Sequence, residues 1–148
     1  MKFKILLIAI IAIFSTNVNI FANISRQQAE NIAIENLGAG EVTEFRNNRI
    51  NGRPINNITV TYRGNDFRVW VDTDGNIIRG AVNITIPEIY TIIENEVTLN
   101  SNFVLEQIRF SVFEEKDVYN VTLVNNSRST RVLIDVQTGQ ILRIRNSR

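Results

Sequence analysis

Apolar residues recur at intervals of three and four in two short stretches of the chain, and this spacing predicts two amphipathic helices. The apolar positions are Ala29, Ile32, Ala33 and Leu37 in the first stretch and Ile89, Ile92, Ile93 and Val97 in the second. Gly38 and Gly40 follow the first stretch and indicate where that helix ends.

Each predicted helix begins with a capping box, the pattern Ser/Thr-x-x-Glu/Gln. Ser25 is followed three residues later by Gln28, and Thr85 by Glu88. In such a box the two side chains pair with backbone N–H groups that the first helical turn leaves free. Pro87 lies in the first turn of the second helix, where its missing N–H has no consequence. The two helix starts are about sixty residues apart, which points to a repeat.

After each helix the apolar period changes from 3.6 to 2, as expected for strands that bury one face. We expect strands near Val42–Arg46, Ile55–Arg63, Phe67–Asp72, Asn76–Arg79, Val104–Glu114, Val118–Val124, Thr130–Val136 and Gln140–Arg145. Tight turns are predicted at Gly64-Asn65, at residues 115–117 and at residues 125–129. The predicted fold class is therefore α+β: two repeats, each one N-terminal helix followed by an antiparallel β-meander of three to four strands.

The end of each half repeats one motif, an apolar strand, an Asp, a turn with Gly and a second apolar strand. Residues 69–78 show it first, and residues 132–142 show it again with a turn one residue longer. We therefore expect a first repeat at residues 23–80 and a second at residues 81–148, joined near residues 80–83. A unit of about sixty residues buries only about 60% of its surface. We expect the two repeats to support each other.

Residues 1–22 have the profile of an export signal. Met1–Lys4 form a positive start, Ile5–Phe14 is an unbroken apolar run, and Ala22 offers a small residue for the cleavage site. The alternative is an uncleaved membrane anchor, but ten apolar residues cover only about 15 Å as a helix, half of a bilayer core. We expect cleavage after Ala22 and a protein outside the cytoplasm, periplasmic or secreted, without a stable membrane span.

The composition excludes much common catalytic chemistry. The chain has no His and no Cys, which rules out histidine-based triads, cysteine nucleophiles, disulfides and thiolate zinc sites. Its 16 Lys and Arg against 15 Asp and Glu give a net charge of +1, which becomes −1 once Lys2 and Lys4 leave with the signal. This balance gives no electrostatic reason to expect a nucleic-acid partner. We predict no cofactor.

The run from Asp72 to Asn76 invites comparison with a calcium-binding loop. In an EF-hand, Gly takes the sixth position, which would place Trp70 first and Ala81 twelfth, and neither can coordinate calcium. We predict a turn in which Asp side chains bond backbone amides, and no metal site. Nothing in the sequence groups a nucleophile with a base or two carboxylates in a cleft. We therefore predict that the protein is not an enzyme, with hydrolysis by carboxylates as a minor alternative.

Alternation along one predicted strand places Arg68 and Trp70 on the face opposite its core residues, and Leu133 takes the position of Trp70 in the second repeat. Either the two halves pack on these apolar groups, or a partner does. For a partner, Trp and Arg are the residue types that dominate binding hot spots. The predicted partner-binding residues are Trp70, Arg68, Arg63, Arg131 and Leu133, and Arg143 and Arg145 could extend them.

The motif of residues 132–141, apolar-x-apolar-Asp-x-x-Thr-Gly-x-apolar behind an N-capped helix, resembles the PepSY domain. Residues 70–77 resemble it as well, so the chain resembles a tandem PepSY protein with two copies. The resemblance implies a noncatalytic extracytoplasmic module, found in propeptides of secreted metallopeptidases and in small stand-alone bacterial proteins, that inhibits or regulates a peptidase. The matching residues form a hairpin of the fold, and no functional residue is carried over with them.

Together these observations predict an exported binding module that has no catalytic activity and whose partner is another extracytoplasmic protein. The resemblance implies a peptidase as that partner. The alternative is a structural or envelope-assembly protein that pairs through exposed sheet edges.

Overall fold

The computed structural model describes residues 23–98, 102–126 and 128–147. Within them lie two α-helices, α1 (Arg26–Leu37) and α2 (Ile86–Ile92), and a π-helix (Ile93–Thr98) that continues α2. The strands are β1 (Glu41–Ile50), β2 (Arg53–Tyr62), β3 (Asn65–Asp72), β4 (Ile77–Arg79), β5 (Val104–Phe113), β6 (Lys116–Asn125), β7 (Arg128–Asp135) and β8 (Ile141–Ser147). The predicted export signal and its cleavage position lie outside the described residues.

The strands form two four-stranded antiparallel sheets, with strand orders β1-β2-β3-β4 and β5-β6-β7-β8. Because consecutive strands are neighbours, each sheet is a meander, and each is preceded in the chain by one α-helix. The chain is thus α+β, as predicted, although the bounds of several elements differ from the predicted ones.

Hydrogen bonds join the predicted residue pairs at both helix starts. The Gln28 N–H donates to Ser25 Oγ at 3.1 Å, and the Ser25 N–H donates to Gln28 Oε1 at 2.8 Å. At α2, the Glu88 carboxylate accepts both the backbone N–H and the hydroxyl of Thr85, each at 2.7 Å. Gly38 ends α1 with φ of 80°, a left-handed conformation that glycine adopts without strain.

The first two hairpins differ from their predictions. β1 runs to Ile50 and not to residue 46, because Asn51-Gly52 forms the turn with φ of 51° and 78°. The next turn is Arg63-Gly64, one residue before the predicted pair, with φ of 49° and 76°. A two-residue turn with positive φ at both positions matches the twist of the flanking strands, and Gly is favoured at the second.

The second helix is shorter than its apolar spacing predicts. α2 ends at Ile92, and the six residues after it form the π-helix, in which the turn is wider than in an α-helix. Ile89 and Ile93 are buried as predicted. The side chain of Val97 lies outside the described part of the structure.

Each helix covers one face of the sheet that follows it. α1 buries Ala29, Ala33 and Leu37, and α2 buries Ile86, Ile89 and Tyr90. These helix residues and the buried strand residues form one continuous core. Its strand members include Ile58, Val60, Phe67, Val69, Val71, Val121, Val132 and Ile134. We call the face of each sheet that is turned away from its helix the outer face.

The two halves share this core and meet where β3 lies beside β5. The fully buried Phe67 ring makes edge contacts with Phe110 at 5.6 Å and with Tyr119 at 6.3 Å between ring centroids. Beside these rings, Asn65 accepts the Ile108 N–H at 2.8 Å. The contact therefore combines apolar burial with a hydrogen bond between β3 and β5.

The segment between the halves is held by α1. Asn36 donates to the Gly80 carbonyl at 2.8 Å and accepts the Val82 N–H at 3.1 Å. Gly80 has φ of 83°, and a Cβ there would lie 2.6 Å from the Arg68 carbonyl oxygen. Only glycine fits this approach, so the joint has a defined conformation.

Candidate functional site

The outer face of the first sheet carries two of the predicted partner-binding residues. Phe67, Val69 and Val71 on β3 point into the core, so Arg68 and Trp70 between them point outward. Trp70 is half-buried, and the Arg79 guanidinium lies 4.9 Å from the centroid of its ring. Such a stack holds the indole in place, and Trp70 remains partly exposed.

Trp70 and Arg68 line a cleft of about 720 Å³ between the first sheet and β5. Arg79 of β4 and Arg109 of β5 also line it. Asp66 and Asp117 are its acidic residues. The cleft therefore combines one large aromatic surface with an excess of positive charge.

Arg131 and Leu133, predicted as the second half's contribution, lie in another groove of about 220 Å³. Arg143, Arg145 and Asn120 complete its polar lining. Ser111 and Val112 line both hollows, so the groove and the cleft are neighbours on the molecule. The structure thus brings four of the five predicted residues onto two adjoining concave surfaces.

Arg63 is not part of either surface. It occupies the β2–β3 turn, where its guanidinium lies 4.8 Å from the centroid of the Tyr90 ring and 5.4 Å from that of Tyr62. Burial raises the pKa of the Tyr90 hydroxyl, which Asn65 contacts at 3.2 Å. Arg63 therefore packs on aromatic rings beside α2, away from Trp70.

Sequence reasoning did not select Asn57, Asn120, Arg79 or Arg109, all of which line the two surfaces. Their side chains become neighbours only through the pairing of strands. The missing information was the register between strands, which the apolar pattern of each strand alone does not give.

The predicted Asp turn is confirmed. Asp72 Oδ1 accepts the backbone N–H groups of Asp74 at 2.9 Å and Asn76 at 2.8 Å, and Asp135 accepts the Gln137 N–H at 2.8 Å in the second half. Burial raises the pKa of Asp72, but the hydrogen bonds from the Asn76 side chain and the turn amides outweigh it and hold that pKa below its ordinary value. Both carboxylates therefore stabilise the turns in which they lie.

The charges on the two surfaces favour an anionic ligand. In the described part of the chain the ion pairs join Arg26 to Glu30, Arg46 to Glu44 and Lys116 to Asp135, so they leave the arginines of the groove without a carboxylate. Arg131 and Arg145 lie directly opposite each other on neighbouring strands. Like charges opposite each other destabilise a sheet, and a bound carboxylate would relieve that repulsion.

Two further features bear on function. Among residues 23–98, 102–126 and 128–147, no cluster of three acidic side chains could hold a metal ion. No helix in those ranges has the length and apolar character to cross a bilayer.

A search of the curated proteins gives no match. Three solved structures resemble the chain at low identity. YpmB from Bacillus subtilis is 17% identical, with a TM-score of 0.39 over 81% of this chain and 95% of YpmB. The YpeB C-terminal domain from Bacillus megaterium is 15% identical, with a TM-score of 0.35 over 85% of this chain and 66% of its own. A Clostridium difficile 630 protein is 10% identical, with a TM-score of 0.39 over 84% of this chain and 94% of its own. Such TM-scores do not establish a shared fold.

Residues 76–145 match the PepSY family, described as the peptidase propeptide and YPEB domain. The match begins just before β4 and covers α2 and the second sheet nearly to its end. It does not reach α1 or β1 to β3, so the first of the two predicted copies is not confirmed. The family model therefore matches one stretch of the chain, residues 76–145, which is less than half of its 148 residues.

Proposed function

We propose that the protein is a noncatalytic extracytoplasmic module that binds and regulates another extracytoplasmic protein, with a peptidase as the favoured partner. The observation that carries this proposal is the half-buried Trp70 in a cleft beside Arg68, Arg79 and Arg109. Trp and Arg in a concave site are the residue types with the largest binding contributions in protein interfaces. The PepSY match supports a regulatory role.

The mechanism is occlusion of a surface on the partner. Neither Trp70 nor Leu133 belongs to the core that joins the halves, so both are free to contribute apolar area to a partner. The arginines around them steer an acidic surface toward the cleft and fix its orientation. The export signal predicted for residues 1–22 supports a place of action outside the cytoplasm.

A pull-down from the native envelope and secreted fractions tests the proposal. Residues 23–148 serve as bait, beside a Trp70→Ala, Arg68→Ala bait and an Arg128→Ala control, in which the exposed arginine lies outside both hollows. We expect one partner protein with the wild type and the control, and its loss with the double variant. Equal recovery by all three baits would contradict the choice of surface.

The second candidate function is assembly through sheet edges, for which β8 is the specific observation. It is the last strand of its sheet, and its Ile144 side chain is 55% exposed. An unpaired edge with an exposed apolar residue is a template for strand addition. Recovery of the protein alone in the pull-down, together with concentration-dependent oligomers in sedimentation, would favour this function.

A further inference from the structure

The two outer faces carry similar rows of side chains. In the first sheet the register places Arg46 opposite Asn57, Asn57 opposite Trp70 and Trp70 opposite Arg79. We call these four residues row one.

The second sheet repeats this arrangement in the same strand order. Arg109 lies opposite Asn120, Asn120 opposite Leu133 and Leu133 opposite Arg143. We call these four residues row two. Each row therefore runs across its sheet as arginine, asparagine, a large apolar residue and arginine.

The similarity between the halves is concentrated on the outer faces. When β1 to β3 are superposed on β5 to β7 by adding 63 to each residue number, six positions are identical. They are Arg46 and Arg109, Asn57 and Asn120, Thr59 and Thr122, Arg68 and Arg131, Val69 and Val132, and Asp72 and Asp135. Of these pairs only Val69 and Val132 point into the core. Core positions need only apolar side chains of suitable volume. The bonds of Asp72 and Asp135 to their turns account for one identical pair, whereas the arginine and asparagine identities on the outer faces point to a shared ligand.

The asparagines supply an independent sign of a ligand. Asn57 Oδ1 and Asn120 Oδ1 are buried and have no hydrogen-bond partner. Asn120 is only 7% exposed and lines the groove, and Asn57 lines the cleft. Buried acceptors are nearly always paired in proteins, so two unpaired ones at the same place in both rows indicate a site that a donor completes.

We infer that each row binds an extended, acidic segment of a partner protein, in which a backbone N–H donates to the asparagine and two carboxylates pair with the two arginines. The inference rests on the proposed binding function and names the chemistry of its partner. The apolar residue of the row, Trp70 or Leu133, contacts an apolar side chain that the segment carries between its two carboxylates.

The dimensions of a row set the length of this segment. Three strand spacings of about 4.8 Å separate its two arginines, roughly 14 Å in all. An extended chain advances about 3.3 Å per residue, so about four residues cover that span. The segment thus carries acidic side chains about four residues apart with an apolar one between them.

The rows differ in the charge that surrounds them. Arg46 of row one already pairs with Glu44, and the position equivalent to Glu44 in the second half is Gln107. Row two also has Arg145 beside it, while Arg68 and Arg131 occupy equivalent positions beside the two rows. We therefore expect row two to bind an acidic segment more tightly than row one.

Trp70 is the only tryptophan of the chain, so its fluorescence reports on row one. A Trp70→Leu, Leu133→Trp double variant exchanges the apolar residues and reports on row two. The probe is the peptide acetyl-Glu-Ala-Leu-Ala-Glu-amide, and the control probe has Gln in place of both Glu residues. Both chains are titrated at low and at high salt as residues 23–148.

We expect both reporters to respond to the acidic peptide, row two at a severalfold lower concentration, and affinity to fall at high salt. The Gln peptide should bind at least about tenfold more weakly, because charge-assisted hydrogen bonds are lost. Arg143→Gln should weaken row two by about tenfold and leave row one unchanged. Arg128→Gln, outside both rows, should change neither.

Three results would overturn the inference: no response of either reporter, a response of row one alone, or equal binding of the Gln peptide. If the double variant does not fold, ¹⁵N spectra of the wild type replace it, and the side-chain amides of Asn57 and Asn120 should both shift with the acidic peptide. Unshifted amides would overturn the inference in the same way. The pull-down is read separately, so a partner captured without peptide binding would leave the proposed function standing and refute only this chemistry.

Discussion

Replacing Phe67 by Ala tests whether the two halves unfold as one unit. The Phe67 ring is fully buried, and its aromatic neighbours, Phe110 and Tyr119, belong to the other half. Truncation of a buried Phe to Ala costs about 3–5 kcal/mol. Loss of two aromatic contacts, each worth about 0.5–1.5 kcal/mol beyond burial, places Phe67→Ala toward the upper end of that range. Because native proteins have a total free energy of unfolding of only about 5–15 kcal/mol, this loss is a large fraction of the stability.

The assay is urea unfolding followed by two probes. Fluorescence of Trp70 reports on the first half, and far-ultraviolet circular dichroism reports on both. If the core is shared, both probes give one coincident transition in the wild type, and Phe67→Ala moves both midpoints down together. Val71→Ala, a buried change outside the aromatic cluster, serves as the control and should cost less. Separate transitions in the wild type, or a loss below about 1 kcal/mol for Phe67→Ala, would refute a shared core.

Three further changes test local features by the same unfolding method. Gly80→Ala should cost about 1–3 kcal/mol, because its Cβ would lie 2.6 Å from the Arg68 carbonyl oxygen, and Gly52→Ala, with open space around it, should cost less. The pKa of Asp72 is lowered in the folded protein, so its contribution is complete above its ordinary pKa of 3.8 and is lost as the pH falls through the folded value. Asp72→Asn should therefore flatten the loss of stability below about pH 4, and an unchanged acid profile would contradict this. Tyr119→Phe should cost about 1 kcal/mol, because its buried hydroxyl donates to a backbone carbonyl at 2.8 Å; no loss would exclude that bond.

The sequence was sufficient for features that local interactions determine. Ser25 and Gln28 mark the start of α1 because a capping box is made within four residues of chain. The alternation around Trp70 predicted its outward direction correctly, since a strand with one buried face has period 2. The bonds of Asp72 to its turn follow from the same kind of local chemistry.

What the sequence did not supply depends on how strands pair. The Asn51-Gly52 turn was overlooked because residues 47–50 are mostly polar, so the apolar pattern of β1 faded before the strand ended. Arg63 was grouped with Trp70 although it occupies a turn and stacks on Tyr90. The two rows could not be found along the chain, because each takes one residue from each of four strands. Only the register places Asn120 between Arg109 and Leu133.

The most direct test of the central claim, that the outer faces bind an acidic partner segment, is a competition experiment. The partner captured on residues 23–148 is exposed to rising concentrations of the acidic peptide or of its Gln counterpart, and the bound fraction is measured. We predict release by the acidic peptide and retention with the Gln peptide, because the carboxylates occupy the arginines of both rows. Retention of the partner at saturating acidic peptide would contradict the claim.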